Sequence, residues 1–421
     1  MIIDLARIKD GRLSALRLAC VFVPLLWLQN MSSNLGPRIN NAILALVTLE
    51  HRFDPYFRDS FNWLFQRPIV EVAQLLLRIL HRNPETHLCQ ELPVPKEANI
   101  TAAIKDAMSR YTEREYQGRI AERAGNTKTY GVVRSEFRVL DNIPAAYKHG
   151  VFAEPKTYPA WIRFGGPGPA SPPDIADSGI LSIGIKLMGV PGEKLLDDEK
   201  ATHDFLGISC PTFTTPNVVE NLKLQRQIYA RMPVFYFIKP FDSHFLDMTM
   251  QGIYARMNTS PLEVRYWSCV PYLLGEGQAM KYSVRPCSNG KTKIPWNPPD
   301  DWLRQSMATT LSTTDAEFDF CVQLQTNHKR MPIEDASIEW PERLSPFVPV
   351  AKIRIPKQEF TSPAQVKFAR ELSFNPWHCI AAHRPLGNQN RARFLIYSEL
   401  SRLRQAMNHE PHIEPTGNES F

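Results

Sequence analysis

The chain has 421 residues, of which 43% are hydrophobic, so it can bury a large core, and its length alone would allow two or three domains. The formal charge of +6 is modest for this size, and Lys and Arg are spread among acidic residues, which argues against a nucleic-acid-binding protein. Seven cysteines without a CxxC pair or zinc spacing indicate buried thiols in a reducing, intracellular compartment rather than a disulfide framework.

Two apolar segments lie within the first 95 residues. The first is an uncharged run at residues 18–28, which follows four basic residues and is too short, at eleven residues, to span a bilayer. The second, at residues 61–82, is predicted to be a strongly apolar helix from Pro68 onward. Both segments fit helices packed on the rest of the protein, attachment to one membrane surface, or a cleaved signal, and the sequence leaves these three interpretations open.

Several half-buried strands are predicted by period-two alternation, and long loops rich in Gly and Pro separate them. These strands are residues 130–139, 158–164, 181–187, 280–285, 318–324 and 350–355. Spaced strands with long connections favour a closed antiparallel barrel. Helices are predicted at residues 217–229, at residues 302–311 and near the C-terminus. The expected fold class is therefore α+β, a closed antiparallel β-barrel with a helical C-terminal cover and an extra helical N-terminal region.

The most informative stretch is residues 383–404, which is predicted to be a loop followed by a helix. Pro and Gly interrupt the loop, and Asn388 or Asn390 can cap the helix. Arg393 and Tyr397 are four residues apart, so their side chains share one helical face and can contact each other. A guanidinium beside a phenol favours the phenolate, and a phenolate is a good ligand for ferric iron.

The spacing of Arg393 and Tyr397 resembles the proximal haem motif of the catalase-like superfamily, which includes true catalases and catalase-related allene oxide synthases. Other segments resemble the same superfamily, in the same order along the chain. They are Glu122 with Arg123, residues 161–164 (Trp-Ile-Arg-Phe), residues 331–337, Glu339 with Trp340, residues 374–377 (Phe-Asn-Pro-Trp) and Arg404. Together these motifs span roughly residues 100 to 410.

The resemblance implies a ferric haem b. Tyr397 would be its axial ligand, with Arg393 stabilising the phenolate. Arg123, Arg163 and Arg404 fall where the superfamily carries arginines for the two haem propionates, and guanidinium groups bind carboxylates in a bidentate manner.

The distal side of the implied haem departs from the superfamily pattern. Its members carry a histidine three residues after the first propionate arginine, and here that position is Asn126, followed by Thr127 and Lys128. A second distal position, an asparagine in the superfamily, falls on Ser209 or, one residue earlier, on Ile208. An amide does not titrate near neutral pH, so peroxide binding is allowed while efficient catalase turnover is not. Asn126 and Thr127 are the candidate catalytic residues.

Other side chains offer no clear replacement for the missing histidine. His149, His203, His378 and His383 are interpreted as structural, because nothing pairs them with a second group in the sequence. Tyr130 could reach a haem only if its strand faces it, and the sequence does not determine that register.

The expected function is a haem-dependent oxidoreductase that acts on an organic substrate or on an organic hydroperoxide of a lipid or polyketide. The alternatives are a weak hydrogen-peroxide catalase or peroxidase and a non-catalytic haem-binding protein. Expected partners are a hydrophobic small-molecule or hydroperoxide substrate and a membrane surface contacted through the N-terminal segments, with homo-oligomerisation left open. The expected regions are a helical N-terminal extension at residues 1–95, a catalase-like haem-binding domain at residues 96–412 and a flexible tail at residues 413–421.

Overall fold

The computed structural model describes residues 35–166, 168, 171–239, 241–288 and 292–421, so the apolar run predicted at residues 18–28 lies outside the described residues. The strands are β1 (Thr129–Val139), β2 (Thr157–Gly165), β3 (Ser182–Leu187), β4 (His203–Ile208), β5 (Tyr266–Trp267), β6 (Tyr272–Leu273), β7 (Ala279–Pro286), β8 (Ala316–Leu324) and β9 (Val348–Ile355). The helices are α1 (Leu35–Phe61), α2 (Arg67–Leu80), α3 (Glu97–Glu115), α4 (Val218–Tyr229), α5 (Val234–Ile238), α6 (Phe245–Tyr254), α7 (Trp302–Thr313), α8 (Pro363–Glu371) and α9 (Asn388–Asn408).

The strands form one antiparallel sheet in the order β5-β4-β3-β2-β1-β9-β8-β7-β6, and β5 also pairs with β7. This last pairing closes eight of the described strands into a barrel, and β6 lies beside β7 as a ninth strand. Closure gives the barrel strands partners on both sides and so removes exposed edges. The predicted closed antiparallel barrel is confirmed.

The alternating side chains of β1 show why this segment forms a barrel strand. Val133, Phe137 and Val139 lie in the core, whereas Glu136 and Arg138 between them are exposed. This period-two pattern is that of a strand with one buried face. Burial of each large apolar side chain stabilises the fold by about 1.5 to 3 kcal/mol.

Aromatic rings fill the middle of the barrel. The ring of Phe205 on β4 lies 4.9 Å from that of Phe320 on β8 and 5.3 Å from that of Tyr282 on β7. Phe137 and Phe152 pack against Phe320 at 5.2 and 5.8 Å. At this level the barrel is therefore a packed core, and polar groups that could serve a ligand lie towards its ends and outer surface.

Residues at both ends of the described chain contact the barrel and its helices. α2 packs Val70, Ala73 and Leu77 against Met250 and Ile253 of α6. Near the C-terminus, Glu419 accepts a hydrogen bond from the Trp161 indole at 2.8 Å, and the ring of Phe421 lies 5.9 Å from that of Trp161. Among the described helices, none combines the length and the apolar character needed to cross a membrane.

The start of α9 differs from the predicted cap. Neither Asn388 nor Asn390 caps the helix; the N-cap is Gly387, at φ 84°, where the Ile333 carbonyl would lie 2.5 Å from any Cβ. The capping prediction is wrong because both asparagines have other partners. Asn388 donates to Glu334 at 2.8 Å, and the side-chain oxygen of Asn390 accepts from Arg393 at 3.0 Å.

Candidate functional site

An ion-pair network fixes the first turn of α9. The guanidinium of Arg391 lies 2.7 Å from Glu97, 2.8 Å from Glu91 and 2.9 Å from Glu334. Burial acts to lower the pKa of Arg391, but the three carboxylates outweigh it and the net direction is upward. Glu91 also accepts from the backbone N–H of Gly387 at 3.0 Å. The position of α9 against the rest of the protein is therefore set by residues before α3 as well as by the barrel.

Arg393 and Tyr397 lie one turn apart on α9 and share a face, as their spacing predicts. The guanidinium carbon of Arg393 is 5.8 Å from the centre of the Tyr397 ring and 5.1 Å from that of Phe213. Burial acts to lower the pKa of Arg393, but the phenols of Tyr397 and Tyr272 raise it, and the net direction is upward. This arrangement holds a permanent cation beside the Tyr397 phenol.

A second group of cations gathers between β1, β2 and the C-terminal helices. Arg123 and Arg404 both donate through Nη2 to the carbonyl of Leu372, at 2.6 and 3.2 Å. Arg163 donates to the carbonyl of Asn126 at 2.6 Å. Arg163 and Arg404 are nearly fully buried, and among the described residues no carboxylate forms an ion pair with any of the three arginines. The structure thus brings together the three arginines singled out in the sequence.

Burial of these three guanidinium groups is electrostatically unfavourable. It lowers the pKa of Arg163 and of Arg404 to about 10 in each case. It also lowers the pKa of Arg123, where the nearby charges of Arg163 and Arg404 add to the effect. The Nη1 atoms of Arg123 and Arg404 are buried and have no hydrogen-bond partner in the described chain. Three converging cations, two of them with a free Nη1 donor, form a site suited to an anion.

Asn126 lies at the entry to β1, directly beside this arginine group. Its backbone has φ 49°, a left-handed conformation that asparagine tolerates better than most residues. Thr127 is fully buried, and its hydroxyl donates to the carbonyl of Arg123 at 3.0 Å. The hydroxyl of Thr127 is therefore engaged within its own segment, whereas no hydrogen bond holds the Asn126 amide in the described structure.

The second distal position does not present a free polar group. The Ser209 hydroxyl accepts from the backbone N–H of Leu181 at 2.8 Å, and the Ser209 N–H donates back to the Leu181 carbonyl at the same distance. Ile208 pairs with Ser182 across β3 and with Trp267 across β5. Both residues therefore contribute to the barrel wall.

A buried polar pair lies next to Arg163 and was not identified as such from the sequence. The Tyr130 hydroxyl and Oδ2 of Asp177 have no hydrogen-bond partner among the described residues. A Cβ on Gly166 would lie 2.7 Å from the Tyr130 hydroxyl and 2.6 Å from Oδ2 of Asp177, so only glycine leaves room for these two groups. Burial raises the pKa of Asp177 to about 6. Tyr130 was noted for its position in β1, but nothing in the sequence near Asp177 marks it.

His378 belongs to a buried charge network instead of standing alone. Its Nδ1 lies 2.9 Å from Asp204 and its Nε2 lies 3.0 Å from Asp198. The Lys186 ammonium pairs with Asp204 at 2.8 Å and with Glu199. Burial and Lys186 act to lower the pKa of His378, but the carboxylates outweigh them and raise it to about 9.

The charge network also lies close to the arginine group. The ring of Phe374 separates the two, at 5.6 Å from the Lys186 ammonium and 6.0 Å from the Arg123 guanidinium. His378 therefore has partners that the sequence did not indicate, and it ties β3 and β4 to the segment before α9.

His203 and His383 meet at one end of the aromatic core, with ring centres 5.3 Å apart. Nε2 of His383 accepts from the backbone N–H of Val151 at 2.9 Å. Burial lowers the pKa of His383 to about 4 and lowers that of His203 strongly. Both are therefore neutral at physiological pH and are part of the core.

A closed antiparallel barrel with a long helix packed outside it, as described above, is the catalase-like fold. Solved catalases share this fold. Catalase A from Saccharomyces cerevisiae matches with a TM-score of 0.54 at 14% identity, over 80% of this chain and 72% of that one. A bacterial catalase matches with a TM-score of 0.53 at 14% identity, over 79% of this chain and 67% of that one. A fungal catalase matches with a TM-score of 0.50 at 14% identity, over 76% and 65%.

These similarities establish the fold and extend no further, because identity is low and the chain spans only about two thirds of the length of the catalases. No protein-family model matches the sequence, and no curated protein matches it. Function must therefore be argued from the site.

Proposed function

We propose that the protein is a haem-dependent oxidoreductase of catalase-like fold that acts on an organic substrate or an organic hydroperoxide. The observation that carries the proposal is the group of three arginines, two of them with an unpaired buried Nη1. Burying cations without an anion is strongly unfavourable, so the charge balance favours a dianionic ligand in this position. Haem b has two propionate groups and fits that requirement.

The residues present fit a haem in their chemistry as well as in their charge. Arg123, Arg163 and Arg404 would hold the propionates, and Tyr397 would ligate the iron with Arg393 beside it. When bound, the haem would supply a redox-active iron able to react with a peroxide bond. The protein would contribute position, charge and the groups of the distal side.

Asn126 and Thr127 would set the chemistry of that distal side. The Asn126 amide can donate to one peroxide oxygen and accept from another, but it cannot carry a proton between them. Dismutation of hydrogen peroxide depends on that proton transfer, which contributes roughly 10² to 10⁴ to the rate. The loss of a titratable group at position 126, together with Ser209 or Ile208 in place of an asparagine at the second distal position, favours organic substrates over hydrogen peroxide.

The decisive experiment is reconstitution with haem, followed by assay with hydrogen peroxide and with a fatty-acid hydroperoxide. We expect a high-spin ferric spectrum typical of phenolate ligation, low oxygen evolution, and faster consumption of the organic hydroperoxide. Tyr397→Phe should abolish haem retention or shift the charge-transfer bands. Tyr229→Phe, on the exposed end of α4, is the matched control and should leave the spectrum unchanged. An unchanged spectrum in the Tyr397 variant would refute the assignment.

A weak catalase or peroxidase is the second candidate, and one observation favours it. Asp177 is a buried carboxylate with a pKa of about 6, and its free Oδ2 faces the same gap at Gly166 as the Tyr130 hydroxyl. Such a group could take over part of the missing histidine's proton transfer. If so, Asp177→Asn would remove most of the oxygen evolution. A haem-loaded protein inert towards both peroxides would instead indicate a non-catalytic haem-binding protein.

A further inference from the structure

α1 presents polar residues to the protein and apolar residues to the outside, whereas α2 packs Val70, Ala73 and Leu77 against α6 and is apolar on its outward side as well. α1, a π-helical turn at Asn62–Gln66 and α2 follow one another without a break over residues 35–80. On α1, the residues buried against the rest of the protein include His51 at 1%, Asp54 at 1% and Arg58 at 6% exposure. A surface helix of a water-soluble protein normally has the opposite polarity.

Hydrogen bonds hold the polar face of α1 against the rest of the protein. Asp54 accepts from the backbone N–H of Met257 at 2.6 Å, and His51 lies 3.1 Å from the Ile175 carbonyl. Arg58 donates to the carbonyls of Gly252 and Ala255. These partners belong to the last turn of α6, the loop after it and the turn after β2, so α1 cannot rotate its apolar side inward without breaking these hydrogen bonds.

The outward side of the same helices is almost entirely apolar. Trp63 is 83% exposed, Tyr56 70% and Ile79 66%. The full set of large exposed apolar residues, here called the outward apolar face, is Leu44, Leu46, Val47, Leu49, Phe53, Tyr56, Phe57, Trp63, Leu64, Phe65, Val72, Leu75, Leu76, Ile79 and Leu80. So many large exposed apolar residues within one stretch of helix are far beyond the scattered apolar residues of an ordinary surface.

Charged residues are few beside the outward apolar face. Between residues 35 and 80, those classed as exposed are Arg38, Asp59, Arg67 and Glu71. Arg67 pairs with Glu71 at 3.0 Å, and Asp59 pairs with Arg256 at 2.9 Å. Little net charge therefore remains on this side of the helices to attract a charged partner.

We propose that the outward apolar face inserts into one leaflet of a lipid bilayer, with α1 and α2 lying in the plane of the membrane. An inverted amphipathic helix is what a bilayer surface requires, because its hydrocarbon replaces the protein core as the apolar environment. Trp63 and Tyr56 combine an apolar ring with a polar group, which suits the headgroup region. The proposal does not depend on the proposed function, since none of these residues belongs to the arginine group or to α9.

The apolar run in the chain's own N-terminal segment is too short to cover the outward apolar face. Residues 44–80 extend over about 55 Å at the rise of an α-helix, whereas the apolar run at residues 18–28 would extend over only about 16 Å even if helical. A second copy of the chain is the other occupant to consider. The test below separates a copy from a membrane.

Vesicle flotation with the full-length protein tests the proposal. Neutral phosphatidylcholine vesicles are the chosen probe, because insertion of an apolar face needs no anionic lipid and persists in high salt. We expect the wild-type protein to float with the vesicles at both low and high salt. The combined variant Leu46→Glu, Phe53→Glu, Ile79→Glu should lower the partition coefficient into vesicles at least about tenfold. The reason is that three apolar side chains that would be buried in the bilayer are replaced by charged ones.

A matched variant controls for added charge and for folding. Val219→Glu, Leu344→Glu, Val366→Glu changes three exposed apolar residues elsewhere on the surface, which are 38–40% exposed against 46–66% for the first set. It should float like the wild-type protein. Thermal unfolding of all three proteins should coincide, since every substituted side chain is exposed. Equal loss of flotation in both variants would refute binding through the outward apolar face.

Two further outcomes would overturn the proposal. In the first, the wild-type protein stays in the soluble fraction and sediments as a dimer, whereas the variant Leu46→Glu, Phe53→Glu, Ile79→Glu sediments as a monomer. That result would assign the outward apolar face to contact with a second copy of the chain. The other concerns Trp63: lipids brominated on their acyl chains should quench part of the tryptophan fluorescence, and Trp63→Phe should remove that part. The same quenching in wild type and in Trp63→Phe would show that this residue does not reach the bilayer.

Discussion

The arginine at the start of α9 is paired with carboxylates, whereas the buried arginines at the entry to β1 have no carboxylate partner in the described part of the chain. At α9, the Arg391 guanidinium is matched by Glu91, Glu97 and Glu334. At the entry to β1, Arg123 and its two neighbouring arginines have backbone carbonyls as partners and no carboxylate among the described residues. A paired network holds structure in place, whereas buried groups left unpaired require a partner from outside the chain.

This comparison separates the residues that hold the site from those that would bind a ligand. It predicts that losing a cation at α9 destabilises the protein, and that losing one from the arginine group does not. It also predicts that chemistry can be changed at Asn126 without loss of the fold. Four substitutions test these expectations.

The largest effect is expected for Arg391→Met. It leaves the largely buried carboxylates of Glu97 and Glu334 without their cation and Glu91 with Arg384 alone. Loss of a buried cation from such a network typically destabilises a protein by about 3 to 5 kcal/mol. Arg402→Met is the control on the same helix, because Arg402 is exposed and pairs only with Glu399, so about 0.5 kcal/mol or less is expected. Denaturant unfolding of the haem-free proteins measures both. Similar small effects for the two variants would show that the network does not hold α9.

Asn126→His tests the distal side. The left-handed backbone at this position is compatible with histidine, so the fold should be kept. Oxygen evolution from hydrogen peroxide should rise by about 10²-fold, the lower end of the range for general acid-base catalysis, because Ser209 and Ile208 leave the second position altered. Asn126→Gln keeps an amide that cannot titrate and should show no gain. Fast catalase turnover in the wild-type protein, with no gain in the histidine variant, would favour the catalase alternative.

Arg404→Met sharpens the contrast with Arg391. Removing a buried cation that lacks an anion should stabilise the haem-free protein by about 1 to 2 kcal/mol, while weakening haem binding. Arg402→Met again serves as the control and should change neither quantity. Denaturant unfolding without haem and haem titration together give the result. A destabilised haem-free variant with unchanged haem affinity would mean that Arg404 is structural.

The sequence was sufficient to predict the barrel, and it indicated which candidate site residues lie close together, for identifiable physical reasons. Alternation located most of the long strands, but β5 and β6 have two residues each and are too short to give a periodic signal. Helical spacing placed Arg393 and Tyr397 on one face. Arg123 and Arg404 were singled out by resemblance, and their convergence on the Leu372 carbonyl depends on contacts between distant segments.

Other features could not be predicted from local patterns. The cap of α9 follows from Glu334 and Ile333, which lie more than fifty residues earlier in the chain. The polarity of α1 is clear only once His51 and Asp54 are seen facing the protein, because an amphipathic helix shows the same pattern whichever side is buried. The site at Asp177 depends on the glycine at 166 and on the packing of Tyr130.

Asp177→Asn is expected to have an effect on stability whose size depends on pH. Burial raises the pKa of Asp177 in the folded protein to about 6, above its ordinary value of 3.8. The folded state therefore favours the protonated form. The stability contributed by that form is fully present below about pH 3.8 and is lost as the pH rises through about 6. The wild-type protein should consequently carry an ionisation penalty at pH 8 that the asparagine variant lacks.

The variant should be more stable than the wild type at pH 8 by up to about 3 kcal/mol, the equivalent of a pKa shift of about two units, and the difference should vanish near pH 4. Asparagine can still accept the hydrogen bond that Asp177 receives from the Ser178 N–H at 2.7 Å, so the local turn is preserved. Asp141→Asn removes an exposed carboxylate and controls for the change in net charge. Denaturant unfolding of the haem-free proteins at both pH values measures the effect. A variant less stable at pH 8 would mean that the ionised carboxylate is paired in solution, and the contrast with α9 would then fail at this residue.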